Sequence, residues 1–307
     1  MIFAVLKIVE QFIGICKNKN FISDDFMFPN CIIIGGQKCG TTSLHYYLDQ
    51  HPDIQMSRWK EIQFFIEEYE WHRGAKWYAR QFKGKAKIHG ESSTPYTNYP
   101  VFKGVSGKMY SLIPDAKLIY LVRDPVARAI SSYLYGFKGY DDKRSLEEAF
   151  VDFRNNEYID RGRYYFQLQQ YLKYYSKEQI CVVQSEKLRS ARMETLQRIF
   201  RFLDVDEVFS CDLFFEEKTV NEEIMQRPKT KKWVRMIIEE GKPLNGIFKL
   251  LSKKQQKRIC DRLIPQGIAV VKPEISDELR ERIKDAYRED VAQLREFTGQ
   301  RFQEWSL

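Results

Sequence analysis

A lysine set inside a glycine turn can neutralise a phosphate, and the run Gly35-Gly-Gln-Lys-Cys-Gly-Thr-Thr-Ser43 supplies that combination. Before it, Cys31 to Ile34 is an apolar run of strand length; after it, Thr41 restarts the chain as a predicted helix. Backbone N–H groups freed by the turn and by the first helical turn converge on one spot, where the helix dipole adds partial positive charge. Gly35 and Gly40 have the spacing of a Walker A loop, but the lysine has moved: Lys38 sits inside the loop and Thr41 stands directly before Thr42. A second anion site is expected at Arg123-Asp-Pro-Val-Ala-Arg-Ala-Ile-Ser131. Arg123 leaves the C-terminal end of a buried strand, where α/β sheets place their ligands, and Ser131 follows about two helical turns later. Two separated phosphate sites describe a nucleotide bisphosphate better than a triphosphate.

Elements that could position these groups are legible in the periodicity. Strands are predicted at 32–34, Lys87–Glu91, Lys117–Val122 and Ile180–Val183, and helices at Thr41–Gln50, Tyr164–Tyr175 and Arg192–Leu203. Strand and helix alternate, and the Lys117–Val122 strand has the uninterrupted apolar core of a strand covered on both faces. The fold class expected is α/β, a P-loop-type central parallel sheet flanked by helices. The C-terminal part is expected to be helical, at Lys229–Glu240, Lys253–Leu263 and Asp277–Phe297.

The whole chain is compatible with that plan. Its 307 residues are 43% apolar and 30% charged, with no low-complexity tract or repeat, so an N-terminal amphipathic segment (1–25) and a single domain (26–307) are expected. A net charge of +8 favours nucleotides, acidic glycans or a membrane surface as partners, and no nucleic acid is expected. The six cysteines form no CxxC pair or disulfide framework and the four histidines no ligand pairing, so reduced thiols and no metal site are expected. Residues 1–16 are apolar at helical spacing yet too short to span a bilayer, which leaves a helix packed on the domain or a peripheral membrane contact. The expected location is cytoplasmic, with membrane association through 1–16 as its variant and the Golgi lumen disfavoured, also because the chain begins at Met1.

With these motifs in order, the chain resembles the sulfotransferases that use 3′-phosphoadenosine 5′-phosphosulfate (PAPS), in the branch that includes the heparan sulfate sulfotransferases and bacterial relatives. Gly36-Gln-Lys-Cys-Gly-Thr-Thr-Ser43 is similar to their 5′-phosphosulfate loop, and Arg123-Asp-Pro with Ser131 to their 3′-phosphate motif. Lys60-Glu-Ile-Gln-Phe-Phe65, Arg73-Gly-Ala-Lys-Trp-Tyr78, Gly90-Glu-Ser-Ser-Thr-Pro-Tyr96, Gly162-Arg-Tyr164 and Ser185-Glu-Lys-Leu188 recur in the same order, with Gln63 where the heparan-type enzymes often carry histidine. The resemblance covers about residues 30 to 305. It implies that Lys38, Cys39, Gly40, Thr41, Thr42, Ser43, Arg123 and Ser131 hold the donor, with adenosine 3′,5′-bisphosphate as product. Lys38 would neutralise the departing 5′-phosphate, and Glu61 would be the general base, its pKa raised by apolar neighbours. The acceptor would be a hydroxyl of a carbohydrate, glycolipid or small molecule, with Trp59, Trp71, Trp77 and Tyr78 as cleft candidates and Asn221 through Lys229, or Lys272, closing over the nucleotide. Glu91 is read as structural and Cys39 as a small loop residue whose cationic surroundings lower its pKa. The alternatives are a P-loop kinase, which needs lysine directly before Thr42 and an acidic group at a neighbouring strand end, and a non-catalytic nucleotide-binding scaffold.

Overall fold

The computed structural model describes residues 27–138, 144–215 and 274–307, with short segments at 225–226 and 268–269 and residues 252 and 255. The amphipathic segment 1–25 and Lys272 lie outside these residues. So do 221–229, apart from Met225–Gln226, and nearly all of the helices expected at 229–240 and 253–263.

Apolar runs of strand length form a parallel sheet of β1 (Cys31–Gly35), β2 (Ile54–Met56), β3 (Ile88–Ser92), β4 (Lys117–Val122) and β5 (Ile180–Gln184), in the order β2-β3-β1-β4-β5. Every residue of β1 and β3, and all of β4 after Lys117, is buried, as parallel strands covered on both faces require. From β1 the chain fills one side of the sheet and then crosses to β4 on the other, so the topological switch flanks β1. That is where open α/β sheets hold ligands, outside the strands' C-terminal ends. A separate antiparallel pair, β6 (Met225–Gln226) and β7 (Ile268–Ala269), stands apart from this sheet.

Helices cover the sheet: α1 (Thr41–Leu48), α2 (Gly74–Ala79), α3 (Val105–Leu112), α4 (Pro125–Lys138), α5 (Leu146–Ala149), α6 (Glu157–Asp160), α7 (Tyr164–Tyr171), α8 (Ser185–Ser190), α9 (Arg192–Leu203) and α10 (Asp277–Thr298). In α9 the buried residues Thr195, Leu196, Ile199, Phe200 and Leu203 recur at helical spacing, which buries one stripe. Ser276 caps α10 by accepting from the Leu279 N–H at 3.2 Å, and Gly299 ends it in the left-handed region at φ 69°. Helix α7 stops at Tyr171 rather than Tyr175. The edge strand β2 was not expected; three residues are too few to show a period. No helix among the described residues is long and apolar enough to cross a membrane.

Candidate functional site

The loop after β1 is built around two approaches that exclude a side chain. A Cβ on Gly35 would collide with Thr97 Oγ1, while Gly40 adopts φ 89°, which L side chains rarely take. The Gly36 N–H donates to Leu121 O at 2.7 Å, which anchors the loop to β4. Helix α1 then begins with no side-chain cap and no acidic residue in its first turn. Its first amides therefore face outward with the positive end of the helix dipole, an arrangement suited to a phosphate or sulfate oxygen.

Lys38 sits in the left-handed region at φ 67°, with its ammonium 4.7 Å from the Tyr135 ring centroid. Arg123, at the end of β4, reaches the Lys38 carbonyl with Nη1 at 3.4 Å, so the two predicted anion sites meet. The Arg123 peptide is held by Tyr164, whose hydroxyl accepts from Arg123 N at 3.2 Å and donates to Arg123 O at 2.8 Å. Asp124 does not face this space. Its Oδ1 accepts from Ala127 N at 2.8 Å, capping α4, and its Oδ2 accepts from Ser306 N at 2.5 Å.

Ser131 is half-buried on α4. The serine that reaches the loop is its neighbour: Ser132 Oγ donates to Gln37 Oε1 at 3.0 Å, and Arg161 Nη1 donates to the same oxygen at 2.5 Å. Gln37, Ser132 and Arg161 were not singled out from the sequence, because nothing in their spacing shows that α4 and the α6–α7 turn converge on the loop. Tyr164 carried a signal only through the Gly162-Arg-Tyr164 run.

Cys39 is buried, and burial pushes its thiol up to about 11 against the opposing influence of Arg128, Tyr164 and Arg123. The lowered pKa expected from its cationic surroundings is thus corrected: removal from water outweighs the nearby charges. Arg128 itself is buried behind the loop, with Nη2 on Tyr158 O.

On the other side of β1, the Glu61 N–H donates to Ser92 O at 2.8 Å, which fixes this residue at the end of β3 with φ 62°. Its carboxylate accepts from the Thr94 N–H at 2.8 Å and pairs with Lys60. The apolar surroundings expected for Glu61 are not there. Phe64 and Phe65 turn into the core, where Phe64 stacks on Tyr78 at 4.2 Å between centroids, and Glu61 keeps polar neighbours. Trp71 and Trp77 join that aromatic cluster, and of the four aromatic cleft candidates Trp59 alone is exposed. Glu91 is fully buried and accepts from Ser93 Oγ at 2.6 Å, Tyr96 Oη at 2.7 Å and the Tyr78 hydroxyl. Burial raises its pKa, those hydroxyls oppose the rise, and the structural reading of this residue fits its closed cage.

The site thus spans the C-terminal ends of β3, β1 and β4, with a carboxylate at one end and two cations beside an uncapped helix at the other. A sequence model of the sulfotransferase domain matches residues 28–295. The Caenorhabditis briggsae bifunctional heparan sulfate N-deacetylase/N-sulfotransferase 1 is 26% identical over 72% of this chain, which spans 29% of that protein. The mouse heparan sulfate glucosamine 3-O-sulfotransferase 3B1 is 31% identical over 62% of this chain, which spans half of it, 50%. A membrane-associated sulfotransferase of Dictyostelium discoideum is 37% identical over 40% of this chain and 26% of its own length. Among solved structures, a sulfotransferase from Alicyclobacillus acidocaldarius shares the fold at a TM-score of 0.64 and 24% identity, over 92% of this chain and 100% of that one. Since the family model runs from β1 into α10, this chain belongs to the sulfotransferase family.

Proposed function

We propose that the chain transfers the sulfuryl group of PAPS to an acceptor hydroxyl by in-line displacement. The observation that supports this reading is the contact of Arg123 Nη1 with the Lys38 carbonyl, which brings the two segments expected to recognise phosphate side by side at the uncapped start of α1. The donor set fits a nucleotide with separate 5′ and 3′ anions. The amides and hydroxyls of Gly40, Thr41, Thr42 and Ser43, with Lys38, would hold the 5′-phosphosulfate, and Arg123 with Ser131 the 3′-phosphate. Cys39 would contribute its backbone alone, because its side chain is buried.

In this reading the acceptor oxygen forms a bond to sulfur as the bond from sulfur to the bridging phosphate oxygen breaks. Glu61 takes the acceptor's proton, and Lys38 neutralises the charge that builds on the departing 5′-phosphate. By analogy with phosphoryl transfer, positioning and electrostatics do most of the work. The kinase alternative is disfavoured because both oxygens of Asp124 are occupied by backbone amides instead of facing the site. A carbohydrate hydroxyl is the favoured acceptor, which the relative named as a heparan sulfate glucosamine 3-O-sulfotransferase supports. Residues 26–307 are proposed as one sulfotransferase domain in a cytoplasmic enzyme, with peripheral membrane contact through residues 1–16 as the variant to a helix packed on the domain. The membrane contact is supported by the membrane-associated relative.

Incubation with sulfur-labelled PAPS and a panel of carbohydrate and lipid acceptors tests the reading. Label should appear on a hydroxyl-bearing acceptor, and adenosine 3′,5′-bisphosphate should raise the melting temperature more than ATP does. Phosphate transfer from labelled ATP, with no sulfuryl transfer, would overturn it.

A further inference from the structure

We propose that the tail after α10, Phe302 to Ser306, is a positioning element of the donor site, and that Trp305 and Ser306 hold the Arg123–Asp124 turn in its binding shape. This rests on the reading of Arg123 as a 3′-phosphate ligand given above. The chain reverses at Gly299, and Gln300 fastens it to β5 by donating to Val182 O at 3.1 Å and accepting from Gln184 Nε2 at 2.8 Å. Phe302, at φ 49°, then stacks on Trp305 with centroids 4.2 Å apart.

From there the tail makes three contacts with the turn and its supports. The Ser306 N–H donates to Asp124 Oδ2 at 2.5 Å. Trp305 Nε1 donates to Glu186 Oε2 at 3.3 Å, and Glu186 Oε1 accepts from the Asp124 N–H at 2.9 Å. The Trp305 ring also lies 5.8 Å from that of Tyr164, the residue whose hydroxyl brackets the Arg123 peptide. Both peptides that aim the Arg123 side chain are therefore held by groups that the tail in turn holds. Asp124 and Trp305 are buried, so detaching the tail would leave carboxylate oxygens unmatched and free the turn to reorient.

Proline at 306 removes the donated N–H, whereas alanine keeps it. Binding of adenosine 3′,5′-bisphosphate and of adenosine 5′-monophosphate is measured by calorimetry on the full chain, for wild type, Ser306→Pro, Ser306→Ala and Trp305→Phe. Loss of a hydrogen bond to a charged group predicts about a tenfold weaker 3′,5′-bisphosphate complex for Ser306→Pro, with the monophosphate changed less than about twofold. Trp305→Phe should shift the same ratio by a smaller factor, and Ser306→Ala should retain the wild-type ratio. A merely structural tail would weaken both ligands alike. An unchanged ratio in Ser306→Pro, or in Trp305→Phe should the proline variant fail to fold, overturns the tail's role. A wild-type protein that does not prefer the 3′,5′-bisphosphate overturns the donor reading instead.

Discussion

Lys38 and Glu61 share a property that neither residue type favours: both hold left-handed backbone angles, φ 67° and φ 62°. Only six non-glycine residues among those described have positive φ, and Lys38, Glu61 and Gln63 are three of them, so this strain is concentrated at the site. A left-handed residue with a Cβ costs roughly 1–2 kcal/mol. Lys38→Gly should therefore melt at a higher temperature than Lys38→Ala, by an amount equivalent to about 1 kcal/mol, in scanning calorimetry. Both variants should lose about 100-fold or more in sulfuryl transfer, the scale for removing a charge-stabilising group from a preorganised site. Glu61→Gln keeps an oxygen for the Thr94 amide but cannot take a proton. Its kcat should fall by about 10²–10⁴-fold while the affinity for adenosine 3′,5′-bisphosphate stays within about twofold. A variant retaining full kcat would remove Glu61 from the base role.

At the scale of elements, the strand ends do the positioning. β1 carries the Gly35–Ser43 loop proposed to hold phosphate, β3 fixes Glu61 through Ser92 O, and β4 delivers Arg123, so parallel register places three distant segments on one edge. The loop's close fit makes it sensitive to added volume. In Gly35→Ala the new methyl meets Thr97 Oγ1 and lies 3.1 Å from a Tyr120 ring carbon, which should destabilise by about 1–3 kcal/mol. Adding Thr97→Ala removes the colliding oxygen, so the double variant should regain part of the melting temperature lost in the single one. Strictly additive losses would show that the clash is not the cause.

Across the whole molecule, α10 docks on α7 through a buried carboxylate. Asp290 accepts from Tyr165 N at 3.0 Å and Phe166 N at 2.8 Å, with Arg163 as its facing charge. Burial pushes its pKa from the ordinary 3.8 to about 6, and the amides and Arg163 oppose that rise. Because the folded pKa is the higher one, the stability this group contributes is fully present below pH 3.8 and lost as pH rises through about 6. The shift corresponds to about 3 kcal/mol across that window. Asp290→Asn cannot ionise, so its stability relative to wild type should rise between pH 4 and pH 7 in urea melts. A difference independent of pH would contradict the assignment.

The sequence by itself determined the alternating elements, the displaced lysine and the order of motifs, because these depend on local period and on spacing within one turn. Lys117–Val122 and Arg192–Leu203 were legible to the residue, since each has a clean pattern and clear ends. Other features depend on chain segments distant in sequence. Spacing could not show that Asp124 is used up by Ala127 and Ser306, that Phe64 and Phe65 turn away from Glu61, or that burial outweighs charge at Cys39. Nor could it show that Ser132 and Arg161 meet at Gln37, or that the last residues brace the Arg123 turn. Desolvation and hydrogen-bond partnership are properties of packed neighbours, and here those neighbours come from other strands and helices. Tertiary structure alone decided them.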